Sequence, residues 1–241
     1  MSFRITPLNL VFAFYLLLMA LLTPLWLLTA VPVRIFGGAD RTDRYFARLA
    51  RFYSRHLFFV FRVKVDIRGL ENVPESDRVC FISNHQGLAD IPLIVGYIPK
   101  TVGFIAKKEL GNIPVLNIWM RALGCVLIDR QNLRSSVGTI ERGIRQIKKG
   151  HPMVIFPEGT RSRKHQMRPF KPGSFKLVTG ADAWAVPVSI SGTYKLIEET
   201  GELNPTRIRL TIHPAIDVSQ LTEEEKETLY KRVESTVRSG I

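Results

Sequence analysis

His85 and Asp90 stand five residues apart in Asn84-His85-Gln86-Gly87-Leu88-Ala89-Asp90, directly after the apolar run Val79–Ser83. Histidine is the usual general base near neutral pH, and a carboxylate on its second ring nitrogen fixes the tautomer and steadies the cation that forms. This separation is not one helical face, so a loop or helix start at Gly87 must fold Asp90 back onto His85. Neither Ser nor Cys lies between them, which makes direct attack by a substrate hydroxyl simpler than a covalent enzyme intermediate. On these residues alone an ordinary structural contact remains the competing reading.

Three further polar clusters follow apolar runs. Phe156-Pro157-Glu158-Gly159-Thr160-Arg161-Ser162 closes the run Met153–Phe156. Gly159 permits a tight turn, and Thr160, Arg161 and Ser162 are donors suited to a phosphate. Glu158 is placed to hold a substrate hydroxyl or to orient an arginine. Arg163, Lys164, Arg168 and Lys171 extend this loop as a basic stretch, or as a solvated charge run. Lys107-Lys108-Glu109-Leu110 and Asp129-Arg130 each deliver cations after another apolar run. Singly, each is as readily a surface salt bridge. Jointly, several cations around one base suit a substrate that carries both phosphate and hydroxyl.

The elements that must position these groups alternate along the chain. Phe61, Val63, Val65 and Ile67 alternate with Arg62, Lys64, Asp66 and Arg68, the pattern of a half-buried strand. Short apolar runs recur at Val79–Ser83, Val102–Ala106, Cys125–Ile128, Met153–Phe156 and Ala185–Ile190, and a further strand is expected at Ile208–Ile212. Helical patterns lie between several of them, at Ile91–Tyr97, Pro114–Leu123 and Leu133–Lys149, and a charged helix begins near Thr222. The expected fold is α/β, a mixed sheet layered by helices, with its site at the loops beyond the strand ends.

The first 60 residues read differently. No charged residue occurs from Ile5 to Val33, a stretch longer than the roughly 20 apolar residues that cross a bilayer. Pro24 is expected to kink or end a helix there, so the segment either spans the bilayer or bends within one leaflet. A buried soluble helix and a cleaved signal peptide fit it less well. Arg41, Arg44, Arg48, Arg51 and Arg55 then recur every three or four residues beside Tyr45, Leu49, Phe52, Tyr53 and Val60. This describes an interfacial helix whose arginines meet lipid phosphates, or a solvated face on a packing helix. Residues 1–60 are therefore expected to form a membrane-docking helix pair, and residues 61–241 the α/β domain. The basic residues after the apolar run place that domain on the cytoplasmic face.

Composition agrees. Lys and Arg outnumber Asp and Glu by 34 to 21, a net charge of +13, so the partner is anionic. A mean hydropathy of +0.07 favours a membrane over nucleic acid, for which no module is present. Cys80 and Cys125 sit in separate apolar runs, and neither a disulfide framework nor a metal site is expected.

In this order the clusters resemble the lysophosphatidic acid acyltransferase family. NHQGLAD is similar to its first block, GCVLIDR (Gly124 to Arg130) to its second, FPEGTRS to its third and AVPVSISG (Ala185 to Gly192) to its fourth, over Val79–Thr193. The resemblance implies His85 as general base and Asp90 as its orienter. It implies Lys107, Arg130, Glu158, Gly159, Thr160 and Arg161 at the acceptor, and Val186, Pro187 and Val188 in the acyl-donor region. The implied reaction acylates the sn-2 hydroxyl of 1-acyl-glycerol-3-phosphate, with acyl-CoA or acyl-carrier protein as co-substrate and no further cofactor. Gly87 departs from the Ser that many members carry, which leaves acceptor preference open. Another lysophospholipid or a lyso-ornithine lipid as acceptor, and a non-catalytic basic lipid-surface binding protein, are the rival readings.

Overall fold

The computed structural model describes residues 4–129 and 133–241. The first helix, Pro7–Val60 (α1), starts at Thr6, whose hydroxyl accepts the Asn9 N–H at 3.2 Å. It runs through Pro24 and Pro32 and breaks at Gly38, at φ 74 and ψ −171. The break therefore lies 14 residues beyond the Pro24 expected to make it. A proline deletes one helical hydrogen bond but keeps a helical φ, whereas Gly38 occupies a backbone region that glycine enters without a Cβ clash.

Beyond Gly38 the chain doubles back. The Tyr15 hydroxyl lies 3.1 Å from His56 Nδ1, that of Tyr45 lies 2.6 Å from Thr29 Oγ1, and the Trp26 and Tyr53 rings are 6.0 Å apart. These pairs define an antiparallel helical hairpin. Its most apolar stretch is only 11% buried, with Leu10, Phe14, Leu17, Leu21, Leu28 and Phe36 among its exposed side chains. So continuous an exposed apolar area is unusual on a soluble surface and points to membrane association.

Not all of the arginine stripe faces outward. Arg51 donates to the Ile98 and Lys100 carbonyls at 2.9 and 3.2 Å, and Arg55 donates to the Gly96 carbonyl at 2.7 Å while lying 5.3 Å from the Tyr97 ring centroid. These carbonyls belong to the C-terminal end of a later helix, Asp90–Tyr97, and the residues just past it. Two of the five arginines thus cap a helix that needs cations at its negative end, instead of meeting lipid phosphate. Arg41, Arg44 and Arg48 remain exposed.

After Lys64–Arg68 (β1) come Val79–Ser83 (β2), Asp90–Tyr97 (α2), Gly103–Lys107 (β3), Pro114–Ala122 (α3), Val126–Ile128 (β4), Leu133–Lys148 (α4) and Met153–Ile155 (β5). Lys176–Thr179 (α5), Trp184–Ser191 (β6), Arg207–Ile212 (β7), Ile216–Asp217 (β8) and Glu223–Ser239 (α6) complete the elements. Among the described residues the strands form one sheet in the order β1-β7-β6-β2-β5-β3-β4, with β8 also on β6. Pairing is parallel from β6 through β2, β5 and β3 to β4 and between β1 and β7, and antiparallel where β7 and β8 meet β6. This is the expected mixed α/β sheet.

β2 reads as unbroken apolar residues because it is covered on both faces. Val79 and Phe81 enter a core with Leu93 and Ile94 of α2 and Phe58 of the hairpin. Cys80 and Ile82 enter the opposite core with Ile147 of α4, Leu177 of α5 and Leu229 and Val233 of α6. A central strand held on both faces gives its C-terminal loop a rigid platform.

Candidate active site

Strands β2 to β6 run parallel, so the loops that follow them leave the same sheet edge, where α/β sites collect. β2 lies between β5 and β6, and its chain passes on to β3 on one side while that of β6 passes to β7 on the other. The pairing of β2 with β6 ends at Ser83 and Val188. Asn84 then extends it with its side chain, giving its Nδ2 hydrogen to the Ile190 carbonyl and taking the Ile190 N–H on Oδ1, both at 2.8 Å. This two-point clasp fixes where His85 leaves the sheet.

Asp90, the first residue of α2, is fully buried. Its Oδ2 accepts His85 Nδ1–H at 2.7 Å, Gln86 N–H at 2.6 Å and Gly87 N–H at 2.9 Å. Its Oδ1 accepts the Thr193 hydroxyl. Two of these donors precede Asp90 by three and four residues, so the carboxylate itself folds the turn back, as the spacing required. With Nδ1 donating to a carboxylate, Nε2 is the lone-pair nitrogen of the ring. Phe156 stacks on the imidazole, with centroids 4.1 Å and planes 16° apart. The ring is held by an edge and a face, and its side chain keeps 18% of its surface exposed.

The adjacent loop, after β5, is tied to the first through main chain. Ser162 N–H donates to the His85 carbonyl at 2.7 Å, and Arg163 N–H to that of Gln86 at 3.1 Å. The sequence offered Glu158 a substrate hydroxyl or an arginine, but the structure gives it backbone. One oxygen accepts His85 N–H at 2.7 Å and the other Arg168 N–H at 2.9 Å. Burial pushes its carboxyl above the ordinary range, against the pull of those two N–H groups. Gly159 has φ 74, where a side chain is strained, and an added Cβ would sit 2.9 Å from Lys171 Nζ.

Arg161 keeps 27% of its side-chain surface and meets Glu198 Oε1 at 3.3 Å. Thr160 is exposed. Lys107 is exposed, pairs with Glu109 at 3.1 Å, and ends β3, which lies two strands from β2. At about 5 Å per strand, those two strands lie roughly 10 Å apart. Arg130 lies outside the described residues. Val186 and Val188 are fully buried in the core beneath the loops, with Pro187 buried between them.

Thr193, Glu198 and the Asn84 clasp were not singled out from sequence. Thr193 and Glu198 follow β6 and reach the first loop across 103 and 110 residues. Nothing local marks them, and Ile197-Glu198-Glu199 reads as surface. What has been assembled is a histidine whose Nδ1 is held by a buried carboxylate, an arginine on the neighbouring loop and an apolar hairpin on the same chain.

A family model described as Acyltransferase matches residues 64–191, from β1 through β6 and more than half of the chain, so this stretch is an acyltransferase domain. A 1-acyl-sn-glycerol-3-phosphate acyltransferase of Borreliella burgdorferi is 30% identical over 69% of this chain and 67% of its own length, and one of Escherichia coli is 28% identical over 88% of each. The crystal structure of the 1-acyl-sn-glycerophosphate acyltransferase PlsC of Thermotoga maritima superposes with a TM-score of 0.74 at 31% identity, covering 92% of this chain and 95% of that one. The chain belongs to the 1-acyl-sn-glycerol-3-phosphate acyltransferase family. It spans 45% of the length of a chloroplastic relative from Brassica napus, to which it is 37% identical over 64% of its own residues.

Proposed function

We propose that the protein transfers a fatty acyl group from an acyl thioester to the sn-2 hydroxyl of 1-acyl-glycerol-3-phosphate, making phosphatidic acid for phospholipid biosynthesis. The observation that carries this reading is the His85–Asp90 contact at 2.7 Å on a loop bonded directly to the one bearing Arg161. Asp90 holds the Nδ1 proton, and Nε2 takes the proton of the acceptor hydroxyl as its oxygen attacks the thioester carbonyl. Collapse of the tetrahedral intermediate breaks the carbon–sulfur bond. The imidazolium then returns its proton to the departing thiolate of coenzyme A or acyl-carrier protein. No cofactor beyond this donor enters the step.

Arg161, with Thr160, Lys107 and Arg130, supplies the phosphate contacts, and Glu158 and Gly159 hold the shape of their loop. Val186, Pro187 and Val188 support the acyl-donor region from below. The hairpin lets a single-tailed acceptor enter from the membrane, sparing its chain an exposure that costs about 0.8 kcal/mol per CH₂. The sheet is expected on the cytoplasmic face, because the hairpin returns the chain to the side where Arg4 pairs with Glu202 and the basic residues Arg62, Lys64 and Arg68 follow.

The test is thiol release from acyl-CoA and acyl-carrier protein by purified protein, against a panel of single-chain acceptors. Acyl transfer to lysophosphatidate, lost in His85→Ala while the protein stays folded and membrane-bound, is the expected result. Full activity of that variant refutes the base. Equal use of acceptors that lack phosphate, among them a lyso-ornithine lipid, refutes the phosphate role of Arg161. Absence of thiol release with every acceptor leaves a basic lipid-binding protein.

A further inference from the structure

Glu198 lies beyond the residues that the family model matches, yet it sits against the first loop of the site. Its side chain has no exposed surface. Oε1 accepts both Leu88 N–H at 2.7 Å and Arg161 Nη1 at 3.3 Å, while Oε2 is buried with no hydrogen-bond partner among the described residues. An unpartnered buried carboxylate oxygen is costly, so something must hold it there. Gly87 makes the room. A Cβ on Gly87 would lie 2.6 Å from Glu198 Oε2 and 2.8 Å from its Cδ. Gly87 is not among the residues with positive φ, so its backbone does not demand glycine. Space does.

We propose that Glu198 is a positioning residue of the acceptor site: it occupies the volume of a side chain at position 87 and ties Arg161 to the turn carrying His85. This rests on the acyl-transfer reading above and deepens it. The Leu88 N–H held by Glu198 directly follows the Gln86 and Gly87 N–H groups held by Asp90. One carboxylate therefore anchors the guanidinium and the turn together. A long arginine fixed through one terminal nitrogen presents its remaining donors to a phosphate in a set direction. Residues 87 and 198 form one coupled determinant, in which glycine with glutamate replaces a side chain with a smaller partner.

The test compares E198Q, E198A, G87S, G87S/E198A and R161A as full-length protein in phospholipid vesicles, with lysophosphatidate as acceptor and acyl-CoA as donor. Acceptor KM, donor KM, kcat and thermal midpoint are measured for each. In E198Q the amide oxygen still accepts both bonds, and acceptor KM stays within about threefold of the parent. E198A raises acceptor KM roughly tenfold or more, the loss expected when a charge-assisted bond releases its arginine, and leaves donor KM unchanged. G87S displaces Glu198 and loses both acceptor affinity and melting temperature. Adding E198A to G87S recovers part of the melting temperature, because the serine then has room, but leaves acceptor KM as high as in E198A, because no carboxylate ties Arg161. This double variant carries the comparison should E198A fail to fold.

An acceptor KM in E198A equal to the parent, or a double variant that melts no higher than G87S, overturns the proposal. An unchanged acceptor KM in R161A instead overturns the phosphate reading, whereas rescue between positions 87 and 198 is read independently from melting. A raised KM in R161A beside a normal one in E198A overturns this inference alone.

Discussion

Replacing the Asp90 carboxylate with the isosteric amide, Asp90→Asn, separates the charge of the orienting group from its geometry. The amide oxygen can take the Oδ2 position and still accept His85 Nδ1–H, Gln86 N–H and Gly87 N–H, now held at 2.6 to 2.9 Å. The new NH₂ faces Thr193, whose hydroxyl turns to accept it and donates instead to Gln86 Oε1 at 3.3 Å. The fold is therefore expected to survive, with a thermal midpoint near that of the parent. On the proposed mechanism, what is lost is the negative charge beside the imidazolium formed when the hydroxyl proton is transferred. Taking charge centres about 4 Å apart at an effective dielectric near 20, that attraction is about 4 kcal/mol. The rate should fall by roughly a thousandfold in kcat, with acceptor KM little changed. Continuous thiol release from acyl-CoA at saturating lysophosphatidate measures it, with a parallel melt to show that the protein is folded. Asp90→Ala is the contrast, since it leaves three donors unpaired and should cost stability as well as rate. A folded D90N variant within tenfold of the parent in kcat would show that the carboxylate is merely structural.

Asn84→Ala removes both bonds of the buried clasp on Ile190 and is expected to destabilise by about 2–4 kcal/mol, read from the urea midpoint, with activity falling because His85 loses its fixed exit from the sheet. Gly38→Ala meets no atom within 4 Å, so its cost is conformational alone, about 1–2 kcal/mol, and should weaken closure of the hairpin as monitored by a Tyr15–His56 distance probe. The folded-state pKa values of Glu158 and Glu198 are both raised, first by burial. Their contribution to stability is thus fully present below the ordinary carboxylate pKa and is lost as pH rises through the folded values. Chemical denaturation from pH 4 upward should show that decline, and it should be shallower in Glu158→Gln; an identical slope in that variant would contradict the linkage.

Much of the site was legible because its signals are local. An apolar run followed by a polar cluster marks a strand end and its loop, and parallel strands bring such loops to one edge. His85, Asp90, Glu158 and Arg161 stand in such loops, and their positions followed from pattern. Roles that depend on partners far away were not legible. Glu158 looked like a substrate ligand but binds two main-chain N–H groups, one from each loop. The arginine stripe looked uniform, yet Arg51 and Arg55 cap α2 because the hairpin lies against its C-terminal end.

Amino-acid order by itself determined the alternation of strand and helix, the apolar arm before the sheet and the types of group at each strand end, since these depend on spacing and composition over a few residues. Tertiary structure decided the rest. Gly38, not Pro24, reverses the chain, because a left-handed glycine changes direction where a proline only loses one bond. Thr193 and Glu198 reach Asp90 and the turn after His85 from across β6, contacts that exist only once that strand lies beside β2. And Gly87, which in sequence is only a missing hydroxyl, is in the fold the space into which a buried carboxylate fits.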